Sequence, residues 1–184
     1  MNTTTRRRLA AVGIVAALTT PVAATVASTS ATAATSAAPF CGIMWGSLPK
    51  ATSPSQLWTG NVTDARTGQH ECYDRLVFDI APGSGRLGYN VRYVSELTGP
   101  GSGLPIPISG GAKIQITINA PSTLSTGTRT FSGWRTFRQL KNLGSFEGYT
   151  DYGLGVRARL PMRVFVLTNT DGGRRLVIDV AHRW

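Results

Sequence analysis

Two stretches lying one hundred residues apart, "RLVFDI" at 75–80 and "RLVIDV" at 175–180, agree at four positions. Each sets an arginine and an aspartate four residues apart: Arg75 with Asp79, and Arg175 with Asp179. Two carboxylates facing one reacting atom do general acid–base work, so a shared catalytic site is the first chemistry to weigh. On a strand, residues four apart share a face but stand about 13 Å from each other, so neither arginine reaches the aspartate of its own stretch. In the antiparallel register that sets Val77 opposite Val177, Arg75 faces Asp179 and Asp79 faces Arg175. The aspartates then sit at opposite ends of the pairing, which suits cross-strand ion pairs that specify register and not a common reacting atom. Two strands in separate sheets related by internal symmetry fit the pattern equally. Under either arrangement Arg75, Asp79, Arg175 and Asp179 read as structural.

Other candidate chemistry is thinner. "HECYD" at 70–74 brings His70, Glu71, Cys72 and Asp74 together, and His182 reaches them if the last strand lies beside this one. With two histidines in the chain and Cys72 committed elsewhere, no metal and no cofactor is expected. There is no G-x-S-x-G elbow, and no Gly-rich stretch leads from a strand into a helix as a phosphate loop does. The segment "GSFEGYTDYGLGVRARLPMRVF" at 144–165 is richer. Its aromatics alternate with charged groups, which makes Phe146, Glu147, Tyr149, Tyr152 and Arg157 a candidate surface for sugar rings and peptide carboxylates. The plain alternative is a hairpin whose aromatics turn inward and whose arginines face water.

The elements that must carry these residues are strands. Leu76, Phe78 and Ile80 share one face of 74–80; Tyr89, Val91 and Tyr93 share one face of 88–94; Ile114, Ile116 and Ile118 share one face of 112–118. Further runs follow at 152–160, 163–168 and 175–180, and Asp171-Gly172-Gly173 signals a hairpin between the last two. Between the runs stand Gly-, Pro-, Ser- and Asn-rich turns. Only 133–143 offers a brief helix, and the same residues also read as the lead into a strand. Six to nine short strands with at most one short helix predict an all-β, antiparallel sandwich of two sheets.

The first 33 residues carry Arg6, Arg7 and Arg8, an apolar run from Leu9 to Leu18 and a small-residue cleavage site at Ala31-Thr32-Ala33. That is the pattern of a secretory signal peptide, for the general or the twin-arginine route. The apolar run falls well short of the roughly 20 residues that cross a bilayer, so no transmembrane anchor is expected in the mature chain. Residues 34–39 read as a disordered lead-in and 40–184 as one domain. An exported chain with Cys41 and Cys72 as its two cysteines is expected to pair them. Loss of the three leader arginines lowers the formal charge from +10 to +7, which favours a polyanion without the clustered lysines and arginines of a nucleic-acid binder.

Taken in order, "YDRLVFDI", "GYNVRYV", "SGGAKIQITI", "GSFEGYTDYGLGVRARLPMRVFVL" and "RRLVIDVAHRW" resemble the AMIN-like domain of secreted bacterial proteins. That family is named for its similarity to the AMIN module that precedes cell-wall amidases. The resemblance implies a non-catalytic two-sheet sandwich that localises to the cell envelope, with peptidoglycan or another anionic wall polymer as partner. Two other roles stay open: a small secreted wall hydrolase working through carboxylates such as Glu147 and Asp151, and a protein-interaction domain.

Overall fold

Leu76, Phe78 and Ile80 are buried in one sheet, and Ile114, Ile116 and Ile118 are buried in another. The computed structural model describes residues 40–184, so the signal segment 1–33 and the lead-in 34–39 lie outside the described residues. Twelve strands follow one another: β1 (Lys50–Ala51), β2 (Val62–Gln69), β3 (Tyr73–Ile80), β4 (Gly88–Val94), β5 (Leu97–Thr98) and β6 (Pro105–Ile106). The second half gives β7 (Ala112–Asn119), β8 (Gly127–Thr130), β9 (Phe137–Phe146), β10 (Tyr149–Val156), β11 (Met162–Thr168) and β12 (Arg174–Ala181). Nine run four residues or more; β1, β5 and β6 are two-residue pairings inside connections that carry no alternation. Residues 133–143 contribute to β9, and the described residues contain no helix.

A six-stranded sheet in the order β1-β4-β7-β10-β9-β8 packs on a four-stranded sheet in the order β11-β12-β3-β2, and every pairing between strands is antiparallel. One apolar cluster joins the two, from Leu76, Phe78, Leu176 and Ile178 on the small sheet to Val91, Ile116, Tyr152 and Leu154 on the large one. The rings of Phe78 and Tyr152 meet across the interface at 4.6 Å. Each such side chain contributes on the order of 1.5–3 kcal/mol by leaving water.

The segment between β4 and β7, which contains the β5–β6 pair, covers part of the large sheet's outer face and buries Leu97 completely. Glycines make this approach possible: a Cβ at Gly153 would overlap Leu97, and one at Gly155 would overlap the carbonyl of Ser109. β10 is consequently buried on both faces.

Candidate functional site

The two hexamers lie side by side on β3 and β12, with Val77 opposite Val177, Arg75 opposite Asp179 and Asp79 opposite Arg175. The alternation that puts leucine, isoleucine and phenylalanine in the core sends these charged residues to the small sheet's outer face. Arg75 donates from Nε and Nη2 to the two oxygens of Asp179 at 2.7 and 2.9 Å, and Arg163 of β11 donates Nε to Asp179 Oδ2 at 2.7 Å. Bonding to Asp179 raises the pKa of Arg75. Both guanidiniums also lie over aromatic rings, Arg163 over Trp45 and Tyr73 and Arg75 over Tyr73.

The second pair differs from the expected one. Asp79 is held by Arg66 of β2, through Nε and through Nη2 at 2.8 Å, while Arg175 turns to Asn169 Oδ1 at 2.7 Å. β2 lies on the other side of β3 and sets Arg66 opposite Val77, within reach of Asp79. The two aspartates therefore have separate arginine partners and share no common site.

His182 reaches the 70–74 segment, with Nε2 3.1 Å from Asp74 Oδ1 and Nδ1 3.0 Å from the carbonyl of Glu71. Asp74 is fully buried, and its other oxygen accepts the N–H groups of Thr136 and Phe137 at 2.8 and 2.9 Å. This constellation ties the start of β9 to β3. Cys72 is bonded to Cys41, and among the described residues no three side chains of ligand type are grouped to hold a metal.

The five candidate binding residues on 144–165 do not form one surface. Phe146, Glu147, Gly148 and Tyr149 make the tip of the β9–β10 hairpin, where Glu147 and Gly148 both take positive φ in a two-residue turn. Tyr152 is 2 % exposed and belongs to the core, because the regular alternation of β10 sets it opposite the core residue Ile116 of β7 and its ring packs on Phe78. Arg157 lies beyond the opposite end of β10, where it donates to the carbonyls of Arg135 and His182 at 3.1 and 2.6 Å.

What does form near the hairpin tip is a groove of about 180 Å³ on the large sheet's outer face, lined by Thr52, Tyr89, Asn90, Thr117, Asn119 and Tyr149, with Pro54 at its side. β4 and β7 place Asn90 opposite Thr117, and β7 and β10 place Thr117 opposite Asp151. Thr117 donates to Asp151 Oδ1 at 2.5 Å, Asn119 anchors the 54–56 loop through the carbonyl of Gln56 at 2.8 Å, and Asn90 Oδ1 is buried without a partner. A ligand hydroxyl or amide N–H would satisfy that acceptor, with Tyr149 offering apolar ring surface beside it, while the Tyr89 ring turns to the core. Neither Glu147 nor Asp151 is among the residues that line this groove.

Burial raises the pKa of Asp151, opposed by the Thr117 bond and the charge of Arg92. With the folded-state value above the unfolded one, the native state binds the extra proton just above pH ~4, so stability falls as pH rises through that window. Asp151→Asn, which keeps an acceptor for Thr117, should raise the urea midpoint at pH 7 and leave it unchanged below pH ~4. A midpoint that falls equally at both pH values would show Asp151 to be net stabilising.

The AMIN-like domain family matches residues 60–182, two thirds of the sequence, a span that runs from β2 to β12. The chain belongs to the AMIN-like domain family. That membership ties it to cell-wall-related binding modules. No curated protein and no solved structure matches the chain. In this AMIN-like domain the matched span holds both hexamers and most of the groove, whereas the Cys41 turn, β1 and Thr52 precede it. Sequence reasoning missed Asn90, Thr117 and Asn119, which are ordinary polar positions on alternating strands. The signal for Thr117 and Asn119 was the outward face of "KIQITIN", where polar side chains recur at every second residue, and for Asn90 the polar positions of "GYNVRYV" that alternate with Tyr89, Val91 and Tyr93.

Proposed function

We propose that this AMIN-like domain is a secreted, non-catalytic binding module of the bacterial cell envelope that recognises peptidoglycan or an associated wall polymer. The observation that carries the reading is the unpartnered Asn90 Oδ1 in a groove that Tyr149 also lines. Such a groove suits a polar ligand with C–H faces and hydroxyl or amide donors, which describes a wall glycan and its attached peptide. Family membership and the signal-like N-terminal sequence support the location. The formal charge of +7 without the leader arginines assists approach to an anionic wall.

Purified sacculi stripped of teichoic acid should co-sediment the protein at low salt. Tyr149→Ala should weaken that binding about tenfold, equivalent to about 1.4 kcal/mol. Failure to sediment at low salt removes the proposal. Release of dye from labelled wall, abolished by Glu147→Gln, would replace it with the hydrolase.

A further inference from the structure

At one open edge of the sandwich, between β2 of the small sheet and β8 of the large one, lies a cavity of about 270 Å³. Ala65, Leu124, Leu140 and Tyr152 give it apolar walls, and Asp64 and Arg129 stand at its exposed rim. Arg129 spans the two sheets by donating Nη1 to the carbonyl of Ala65 at 3.1 Å. Asn142, also on the wall, is fully committed: its amide donates to the carbonyls of Leu124 and Ser125 and its oxygen accepts Gly144 N–H.

Tyr152 Oη is different. It is buried and has no partner of hydrogen-bond geometry. Burial pushes the phenol up to about 12, against a smaller opposing pull from Ser122 and with Asp64 adding to the rise. The Ser122 hydroxyl is itself engaged, donating to the carbonyl of Val62 at 3.3 Å and accepting Leu124 N–H at 3.0 Å. At neutral pH the cavity thus ends on an O–H donor in apolar surroundings, with a carboxylate acceptor at its mouth. Opposite charges at the rim and none at the floor favour a neutral guest. Its volume lies below that of a pocket for a whole drug-sized molecule, so it suits one group of a larger ligand.

We propose that this cavity takes an acylamino group, whose carbonyl accepts from Tyr152 Oη, whose N–H turns to Asp64 and whose alkyl end packs on Leu124 and Leu140. The inference rests on the wall-binding reading for its setting and adds a second contact, distinct from the Asn90 groove. An acylamino group of this kind occurs on N-acetylated sugars and on acylated peptides, and the probes separate the two.

The test is an NMR titration of the full chain with N-acetylglucosamine, N-acetylalanine amide and glucosamine. At least one acetylated probe should shift the amides of Leu124 and Gly127, and glucosamine should not. A response to the sugar alone assigns a glycan, to the amide alone a peptide, and to both the acyl group itself. Tyr152→Phe keeps the ring on Phe78 and should weaken the acetylated probe at least about tenfold without lowering the thermal midpoint. Ser125→Trp, at the exposed rim, should block the site in a folded protein. Equal binding of glucosamine, no response to either acetylated probe, or unchanged affinity in Tyr152→Phe overturns the inference. Sacculi that still sediment in that case leave the wall-binding reading standing and remove only the cavity.

Discussion

Replacing Cys41 and Cys72 together by serine is expected to lower the unfolding free energy by about 4 kcal/mol, the chain-entropy value for a loop of this size. The bridge joins positions 31 residues apart. It holds a turn in which Cys41 and Gly42 both have positive φ and Phe40 and Ile43 exchange backbone bonds at 3.2 Å. Positive φ is unfavourable for cysteine, so the turn depends on its attachments. These are the disulfide and a small apolar cluster of Trp45 and Ala181 with Phe40, Ile43 and Tyr73 around them. Trp45 also donates Nε1 to the carbonyl of Phe40 at 2.9 Å. The expected fall in midpoint temperature is roughly 8–15 °C. Trp45 emission should shift to the red in the same transition. A loss below about 1 kcal/mol would mean that the 40–46 segment docks without help from the covalent link.

Legibility in the sequence followed the difference between the two faces of each strand. β3, with the burial of its residues alternating along its whole length, is readable from "YDRLVFDI" alone, and the Val77–Val177 register follows once β12 shows the same pattern. β2 was invisible because "VTDARTGQ" has two apolar residues in eight, so the partner of Asp79 was sought on β12 and not on the strand that supplies Arg66. β8 has no buried residue at all and forms only by pairing with β9. β10 failed for the opposite reason. Covered on one face by the other sheet and on the other by Leu97 and Ser109, it has no outward side from which a surface for Tyr152 could be read. The groove and the cavity depend on which strands become neighbours, and that information is long-range. The disulfide was legible from two cysteines behind a signal-like N-terminal sequence.

The twin hexamers should respond unequally to the same substitution. Asp179→Ala is expected to lower the unfolding free energy by about 3 kcal/mol, and Asp79→Ala by less than about 1 kcal/mol. Asp179 has no exposed side-chain surface and is the sole carboxylate between Arg75 and Arg163, whose side chains are 27 % and 31 % exposed. Its removal leaves two guanidiniums, each close to the rings of Tyr73 and Phe165, without the carboxylate they share. Because both arginines retain access to water, the loss sits at the lower end of the range for broken buried pairs. Asp79 is 25 % exposed and its partner Arg66 is 52 % exposed, which places that pair among surface bridges of little net worth. Denaturant unfolding of the two variants side by side measures the difference. Equal losses would mean that burial does not distinguish the hexamers. Loss of wall binding in Asp179→Ala at unchanged stability would assign that carboxylate to a ligand and overturn its role as the clasp between β3, β11 and β12.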